Sequence, residues 1–471
     1  MRRFVWLLLA GVPSVLGAQG FAVYEHNACT MGRASTGVAS PCSDGSGILF
    51  NPATIADLSG THVSAGWLFI SASGGFTPDP GVYASDAKTN MTTGVFNVPN
   101  AYITHTFDKI AVGLGVFIPY GLGTAWCVDN GSCSNGVFSF ASNPQPNVNF
   151  AGRFSGYKTD LRAVYIQPTV AFPLTKKLNF GFGVDFIDSK IELHERADLS
   201  TQQVPGQPAG VTFAALGIAP YTDFADAGLS ANGTGVTWHL GLSYKANADL
   251  SFGLRFLAGR QIRYDGNAKF TQVNTNIILP PNNPLGLPGG TPLDAVLSGL
   301  FTPGAALASD TARTSINLPS QLVVGFAYKM TPKLMLLGDF QYTYWNSFDQ
   351  LVIEFPTDST RTIAQNENYN NTVDLRIGAD YTYNDKLNFR LGYLYNTAAS
   401  PSETVTPLLP EGSRNEITGG VGYAITKALR ADVAYQYIKQ QDRRGRLVVG
   451  PNTGVYEFSA SLVGLGLAYS F

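Results

Sequence analysis

Long hydrophobic runs are missing from this sequence. Beyond the first residues it has no stretch of roughly 18 consecutive apolar residues, the length that a helical span requires, although 45% of its 471 residues are hydrophobic. Helical membrane spans are therefore excluded by hydropathy. A membrane β-barrel is not excluded, because a closed barrel also pairs every backbone donor and acceptor inside the protein.

Charged residues are scarce as well. They make up 14% of the chain, against about 25% in ordinary soluble domains. The formal net charge is −2 and the sequence has no clustered basic face, so a nucleic-acid partner is excluded. Glycine (51 residues), phenylalanine (29) and tyrosine (22) are plentiful instead. This composition favours a barrel with an apolar outside and girdles of aromatic residues.

Cysteine and histidine are few. The four cysteines lie in segments without strand character, and their spacing matches no zinc pattern, so neither a metal nor another cofactor is expected. An exported chain would form disulfides. Of the three possible connectivities, the simplest joins Cys29 to Cys42 and Cys127 to Cys133. The five histidines form no Ser-His-carboxylate pattern, so an enzyme is not expected.

The first eighteen residues have the form of an export signal. Arg2 and Arg3 supply a positive end, residues 4–10 form an apolar run, and residues 16–18 form a small-residue cleavage site. The mature chain would begin at Gln19. An uncleaved membrane anchor is the alternative, but the apolar run is too short to span a bilayer.

Period-two alternation of apolar and polar residues dominates the rest of the chain. Leu178, Phe180 and Phe182 alternate with Asn179 and Gly181, which places the apolar side chains on one face of a strand. The same pattern recurs along the chain. We predict fourteen strands, which start near Thr61, Asn100, Lys109, Asp160, Leu178, Thr234, Leu250, Thr314, Leu334, Thr372, Leu387, Arg414, Leu429 and Ala460.

The joints between these strands alternate in length. Six are tight, at residues 107–109, 174–177, 246–249, 330–333, 384–386 and 425–427. The seven joints between them are long and rich in Pro, Gly, Asn and Ser. Short periplasmic turns and long extracellular loops are typical of outer-membrane barrels. The sequence therefore predicts an all-β transmembrane barrel of fourteen antiparallel strands in the outer membrane of a Gram-negative-type bacterium.

Aromatic residues mark the ends of the predicted strands. The chain ends in an alternating segment whose last residue is Phe471, and such an ending resembles the signature by which the barrel-assembly machinery recognises its substrates. An ordinary last strand is the alternative. Tyrosines just before the tight turns would lie at the membrane interface; they are Tyr244, Tyr328, Tyr381, Tyr383 and Tyr423.

Residues 19–60 break the alternation. Six glycines punctuate small and polar residues there, and no strand-length pattern is present. Such a segment needs a scaffold, and the lumen of the barrel can provide one. We therefore predict a signal peptide at residues 1–18, an N-terminal hatch that plugs the lumen at residues 19–60, and the barrel at residues 61–471.

Several short motifs give the chain a family resemblance. Gly20-Phe21, the run from Met31 to Ala34 and Asn51-Pro52-Ala53 resemble the hatch of the outer-membrane long-chain fatty acid transporter family, which includes toluene and xylene uptake channels. Further similar segments follow in the same order, at residues 119–124, 190–192, 344–348 and 409–414.

The resemblance implies a plugged barrel that takes up an apolar ligand from its extracellular loops and releases it sideways through a gap at a kinked strand. Gly121 matches the kink glycine, and Pro119 nearby removes a backbone donor. Asn51-Pro52-Ala53 would lie beside the gap and couple the hatch to the wall. The plainer alternatives are a barrel-corner glycine and a structural turn.

Fatty-acid members of the family hold the ligand carboxylate with basic residues. Here the matching positions fall near Leu193 and Glu367, and neither is basic. A neutral hydrocarbon would need no such clamp. Basic residues close to these positions could substitute, although each also suits an ordinary solvated loop; they are Lys190, His194, Arg196 and Arg361.

The expected function is passive uptake of hydrophobic small molecules, by a monomer that contacts outer-membrane lipid and lipopolysaccharide. A general diffusion porin or a surface adhesin is the alternative. A porin would need a water-filled eyelet lined by opposed charges, whereas the inward positions here are mostly Gly, Ser and Asn with scattered charges. The sequence does not identify the hydrophobe.

Overall fold

The computed structural model describes residues 20–80, 88–126, 150–204, 207–283, 285–445 and 453–471. Within these ranges no helix is long and apolar enough to cross a bilayer. The predicted signal peptide at residues 1–18 lies outside the described residues, as do Cys127 and Cys133.

Fourteen strands form the wall, two of them interrupted by a short break. In chain order they are β1 (Thr61–Pro78), β2 (Val95–Phe107), β3 (Ile110–Ala125), β4 (Lys158–Pro173), β5 (Leu178–Asp198), β6 (Asp223–Lys245), β7 (Leu250–Leu257 and Arg260–Gln272), β8 (Asp310–Leu318 and Gln321–Thr331), β9 (Leu334–Thr343), β10 (Thr372–Thr382), β11 (Leu387–Asn396), β12 (Arg414–Ala424), β13 (Leu429–Gln440) and β14 (Gly454–Ser470).

Each strand pairs antiparallel with its neighbours in the chain, and β1 pairs with β14 from His62 opposite Ser470 to Pro78 opposite Gly454. The wall is therefore a closed barrel, which removes the exposed edges of an open sheet. The six predicted tight joints all lie at the end where β1 begins and β14 finishes. The predicted strand number and the alternation of short and long joints are confirmed.

Several strands are longer than the sequence predicted. β6 begins at Asp223 instead of near Thr234, β2 at Val95 instead of near Asn100, and β14 at Gly454. All the extensions are at the extracellular end. Above the lipid both strand faces meet polar surroundings, so backbone pairing continues while the apolar alternation stops.

Short elements occupy the hatch and the loops. Helices lie at α1 (Ala28–Met31), α2 (Gly47–Phe50) and α3 (Leu293–Leu297), and 3-10 turns lie at Pro52–Asp57, Ala151–Ser155, Leu199–Thr201, Phe213–Leu216, Ser298–Phe301, Trp345–Ser347 and Ser359–Arg361. Short strands lie at Thr89–Asn90, Gln350–Glu354, Ile363–Asn366 and Arg443–Arg444.

The outer face of the wall is apolar. Its mid-strand side chains are large and exposed, among them Ile377 (66% exposed) and Leu391 (64%). The five tyrosines predicted at the interface are all exposed, and Phe471 is 68% exposed. Because exposure of this size would be costly in water, the band is the surface that lipid covers.

The described hatch residues lie inside the barrel and are buried almost throughout. Inward-facing glycines let its backbone approach the wall: a Cβ on Gly378 or Gly392 would overlap the Arg33 backbone, and a Cβ on Gly253 would overlap that of Val38. Cys29 and Cys42 form a disulfide that joins α1 to the following loop.

We predict that Leu391→Arg destabilises the barrel by about 2–4 kcal/mol, because its lipid-facing position lies near the middle of β11. Urea unfolding in lipid vesicles measures the change. Leu391→Ala is the matched control, since it removes the side chain without placing a charge in lipid. Equal unfolding midpoints for the two variants would show that this face does not contact hydrocarbon.

Candidate transport path

A bulge interrupts the pairing of β3 with β4. Phe117 lies opposite Tyr165, but the next paired residue, Tyr120, lies opposite Ala163. Three steps along β3 therefore match only two along β4, and the extra residue falls at the segment that contains Pro119. Proline favours this position because it has no backbone N–H to contribute to a ladder.

The same strand separates from its other neighbour just below the bulge. In the described part of the chain, pairing between β2 and β3 ends at Ala101 opposite Val116. β2 itself continues upward along β1 as far as Val95 opposite Ser71. In the described residues no strand pairing joins the upper halves of β2 and β3, and above this interruption the Thr92 N–H donates to the Ala125 carbonyl at 2.7 Å. We call this interruption of the ladder the wall opening.

The first residues of the hatch occupy the inner side of this opening. The Val23 N–H donates to the Pro119 carbonyl at 2.9 Å, and the Gly121 N–H donates to the Phe21 carbonyl, also at 2.9 Å. Ala22 forms an antiparallel bridge with Tyr120. The hatch therefore replaces β2 as the partner of upper β3.

Gly121 comes directly after the bulge, and its role as the kink glycine stays a prediction. The bulge lies before it, and the atoms nearest to a Cβ at Gly121 would be the Leu161 carbonyl oxygen at 3.6 Å and a Val23 methyl at 3.7 Å, which are ordinary contacts. The backbone therefore does not require glycine here. The bulge at Pro119 and the end of pairing with β2 both come before Gly121, which lines a cavity beside them.

Asn51-Pro52-Ala53 couples the hatch to the wall, but at another place than predicted. The Asn51 Nδ2 donates to the carbonyl oxygens of Leu242 on β6, at 2.8 Å, and Val38 in the hatch, at 2.6 Å. Its Oδ1 accepts the Ala53 N–H at 3.1 Å. The expected position beside the gap is thus corrected, since the anchor lies three strands from β3.

Wall side chains also hold the hatch through its backbone. The Asp339 carboxylate accepts the N–H groups of Gly37 and Val38 at 2.9 and 3.2 Å. Thr418 accepts the Ala34 N–H at 2.9 Å. These polar contacts satisfy buried donors that would otherwise be costly, and they fix the hatch at several points around the lumen.

Three cavities follow one another above the hatch. The outer cavity, about 90 Å³, lies among the extracellular loops. It shares Leu193, Leu351 and Leu408 with a middle cavity of about 60 Å³. The middle cavity in turn shares residues with a wall cavity of about 160 Å³; the shared residues are Phe21, Leu122, Leu161 and Leu409.

The wall cavity reaches the opening between β2 and β3. It is lined by Phe96 and Val98 of β2 and by Ile118 and Gly121 of β3, and also by Asn97, which faces outward. The linings of all three cavities are mainly apolar. The residues that line them thus form a connected and mainly apolar series from the loops to the outer face of the wall, with charged side chains such as Arg162 and Arg414 in the wall cavity.

A polar cavity lies on the other side of the hatch. It measures about 340 Å³ and is lined by the disulfide and by charged side chains, including Arg33, Asp380 and Arg390. Arg390 contacts the carboxylates of Asp380 and Asp432 at 3.0 and 2.6 Å. The two ends of the lumen therefore differ sharply in polarity.

The four basic residues predicted near the ligand lie in different surroundings in the structure. Lys190 lies on the exposed outer face of β5, opposite Arg162. The His194 ring lies between the carboxylates of Glu192, at 3.0 Å, and Asp226, at 3.4 Å. The structure therefore does not place Lys190 in the cavities, and His194 is already bonded to two acidic groups.

The two predicted arginines are also bound to acidic groups of the chain. Arg196 contacts Asp226 at 3.3 Å. Arg361 contacts Asp310 at 3.5 Å, donates to the Ala308 carbonyl at 2.7 Å, and lies 4.4 Å from the centre of the Phe355 ring. The structure does not bring the four basic residues together as one clamp.

Leu193 and Glu367, the positions matched to the family's basic residues, do come together at the middle cavity. Sequence reasoning missed Glu195 and Leu408, which line the outer cavity. Glu195 could have been found, because it is two residues from Leu193 and shares its face of β5. In the described ranges no His, Cys, Asp and Glu group is arranged to hold a metal.

Comparisons with known proteins agree with this geometry. The model of the family described as "Outer membrane protein transport protein (OMPP1/FadL/TodX)" matches residues 9–471. The "Long-chain fatty acid transport protein" of Escherichia coli O6:H1 is 24% identical over 464 residues, which covers 96% of this chain and 94% of that protein.

Solved structures show the same fold. A Pseudomonas aeruginosa FadL homologue superposes with a TM-score of 0.74 at 17% identity, covering 96% of this chain and 100% of that one. The P. putida toluene transporter TodX superposes with a TM-score of 0.66 at 18% identity, covering 97% and 99%.

We predict that Gly181→Ala displaces the hatch, because its Cβ would overlap the backbone of Pro52 and Ala53. Hydrogen exchange at residues 51–58 should rise while the barrel keeps its folded electrophoretic mobility. Gly419→Ala is the control, since no atom lies nearer than 3.9 Å to its Cβ. Unchanged exchange in Gly181→Ala would contradict the described contact.

We also predict acid-dependent docking of the hatch. Burial lowers the pKa of His26 from 6.5 to about 4, with its Nε2 3.0 Å from the Val23 carbonyl. Between pH 4 and pH 6.5 His26 binds a proton when the hatch is displaced but not when the hatch is docked. The free energy that favours docking therefore decreases as the pH falls below 6.5 and does not change above it. Proteolysis of the hatch from pH 7 to pH 4 measures this, and His26→Gln should remove that part of the pH dependence.

Proposed function

The chain belongs to the family of outer membrane protein transport proteins (OMPP1/FadL/TodX), and from this membership we propose that it is a passive uptake channel for hydrophobic small molecules. Members of the family are transport channels of the outer membrane and not enzymes. The finer proposal concerns the path. A ligand enters through the outer cavity, passes the middle cavity and leaves through the wall opening between β2 and β3.

The observation that carries this proposal is the sharing of residues between successive cavities. A hydrocarbon gains about 25 cal/mol for each Å² of apolar surface that leaves water, so it enters such a series readily. At the far end the wall cavity contains outward-facing Asn97 and Arg162. The cavity therefore reaches the outer face of the wall, and we propose that the ligand passes from there into the adjoining apolar band of the bilayer.

The hatch is proposed to control the last step. Phe21 lies between the middle and wall cavities, with its ring 4.6 Å from that of Trp345 and 5.8 Å from that of Phe348. The neighbouring backbone pairs with β3 across the opening. A ligand of any size must displace this segment, so movement of the hatch and opening of the path are the same event.

Exit through the periplasmic end is less favourable for an apolar molecule. That route leads past the buried polar contacts of the hatch into a cavity lined by Arg33, Asp380 and Arg390. Each broken contact would leave a buried polar group without a partner. The filled lumen also argues against the general diffusion porin considered from the sequence.

The known relatives give two ligand classes. The Escherichia coli relative is named as a transport protein for long-chain fatty acids, and the P. putida structure is that of a toluene transporter. For the present chain we propose a neutral or weakly polar hydrophobe, because Lys190 lies outside the cavities and the other three predicted basic residues are bound to carboxylates. The arginines that line the wall cavity, Arg162 and Arg414, share it with three acidic residues, which are Glu25, Asp160 and Glu411.

We predict that Gly121→Val lowers toluene uptake about tenfold, equivalent to a barrier about 1.4 kcal/mol higher, because the added methyl groups enter the wall cavity beside Val23. Uptake of radiolabelled toluene into proteoliposomes measures the effect. Gly121→Ala should stay near wild type, because its Cβ makes only ordinary contacts.

Gly419→Val, on the outward face of β12, is the matched control for the added bulk. Deletion of residues 19–53 should change toluene uptake while the barrel stays folded. Unchanged uptake in both Gly121→Val and the deletion variant would remove the wall opening and the hatch from the transport path.

A further inference from the structure

The disulfide between Cys29 and Cys42 lies at the polar cavity on the periplasmic side of the hatch. Both cysteines line that cavity, which measures about 340 Å³. Cys29 is buried, whereas Cys42 is half-buried and the next residue, Ser43, is exposed. Exposed residues of the tight turn between β12 and β13, Thr426 and Lys427, form another part of the lining. A small molecule from the periplasm can therefore approach Cys42 while the barrel stays folded.

The polar cavity has a net positive charge. Arg33 and Arg390 contact the Asp380 carboxylate at 3.5 and 3.0 Å, and Arg390 and Arg430 contact that of Asp432 at 2.6 and 3.2 Å. Lys427 adds a fourth cation to the lining, and Asp44 is the third carboxylate. The thiolate is the species that attacks a disulfide, and nearby cations favour it. The cavity therefore favours the approach of an anionic thiol.

The disulfide closes the part of the hatch that bonds to β9 and β12. We call residues 30–41 the hatch loop. Within it, the N–H groups of Gly37 and Val38 donate to the Asp339 carboxylate, and the Ala34 N–H donates to the Thr418 hydroxyl. A cross-link restricts the conformations of the loop that it closes. Opening the disulfide would therefore weaken the docking of this loop against the two strands.

Other bonds keep the hatch in the lumen without the disulfide. The Asn27 Nδ2 donates to the Asp44 Oδ2 at 2.8 Å, just outside the two cysteines. The Asn51 Nδ2 donates to the Leu242 carbonyl of β6 at 2.8 Å. Neither bond involves a sulfur atom. Reduction would thus loosen one loop and leave the rest of the hatch docked.

We propose that the Cys29–Cys42 disulfide is a site of thiol–disulfide exchange with small anionic thiols from the periplasm, and that its reduction loosens the hatch loop. A thiolate attacks the Cys42 Sγ, the S–S bond breaks, and Cys29 leaves as a thiolate that takes up a proton. A second thiolate attacks the small-molecule sulfur of this mixed disulfide and releases Cys42, which is protonated in turn. Two small thiols are oxidised to one disulfide, and the protein disulfide gains their two electrons.

The first test measures the rate of reduction in the folded mature protein, in non-ionic detergent at pH 8. The anionic thiol is 2-mercaptoethanesulfonate and the cationic thiol is cysteamine, and alkylation followed by mass spectrometry quantifies free Cys42. The ratio of the two rates is compared with that of the same chain unfolded in urea, which corrects for the intrinsic reactivity of the thiols. Folding should raise the ratio in favour of the anionic thiol several-fold, because opposite charges attract more strongly in the cavity than in water.

Lys427→Gln should lower this ratio towards the value of the unfolded chain, because it removes one cation from the cavity. Lys109→Gln is the matched control. Lys109 is an exposed lysine in another tight turn at the same end of the barrel, and it is not among the residues that line the cavity. It should leave the ratio unchanged.

The second test is hydrogen exchange before and after reduction. Exchange at residues 33–38 should rise about tenfold when the loop is no longer closed, while exchange at residues 51–58 should change little because Asn51 stays bonded to β6. A double variant, Cys29→Ser with Cys42→Ser, should show the raised exchange without added thiol and should not respond to it. Because this variant keeps Cys127 and Cys133, it reveals any effect of thiol at those residues.

Either of two results would overturn the proposal. One is a folded protein whose disulfide is reduced only at its rate of unfolding, with the same ratio as in urea, which would show that the cavity does not admit a thiol. The other is complete reduction with unchanged exchange at residues 33–38, which would show that the disulfide does not hold the loop. Reduced wild type carries the second test if the double variant does not fold. Folded electrophoretic mobility of each sample verifies that the barrel is intact.

Discussion

Backbone hydrogen bonding is the constraint on which this structure depends. Lipid offers no partner for an N–H or a carbonyl group, so every strand must be paired on both sides and the sheet must close. The protein meets this requirement around the wall, including the seam between β1 and β14. It departs from it at upper β3, where β2 leaves and the hatch supplies the missing partner at Phe21 and Val23. The hatch that fills the lumen therefore also completes the backbone pairing of the wall.

The hatch remains in place through polar contacts with the inner wall, and these contacts need a close backbone approach. Glycines at inward positions of several strands provide the space, and side chains such as Asp339 and Asn51 provide the bonds. The anchors surround the lower part of the hatch, whereas its first residues contact β3 and the aromatic cluster around Trp345. The hatch thus has a firmly bonded base and a short arm that reaches the wall opening.

Much of the fold could be predicted from the sequence because one face of each strand meets hydrocarbon. That single demand produces the alternation, and the tight turns fix the order of the strands. The extracellular extensions of β6 and β14 were missed, since no apolar face is needed there. Lys190 shows how sensitive the site is to register, because one step along a strand moves a side chain from lumen to exterior.

The details of the path depended on tertiary packing. The position of Asn51 against β6 depends on which inward-facing glycines contact the hatch. The irregular pairing of β3 depends on where β2 stops pairing with it. Neither feature can be recognised from neighbouring residues in the sequence. Glu195 could have been recognised in that way, because it is two residues from Leu193. The family resemblance directed attention to basic residues instead, although the chemistry of the lining side chains in this chain differs.

The placement of the hatch also bears on biogenesis. The segment is covalently continuous with β1, lies within a lumen whose walls contact it closely, and has a cross-link of its own over a separation of 13 residues. A loop that short can be oxidised before the cylinder exists. Because the hatch contacts strands on several sides of the lumen, we expect it to be enclosed while the first and last strands pair, so that the disulfide-bonded segment and the wall assemble together.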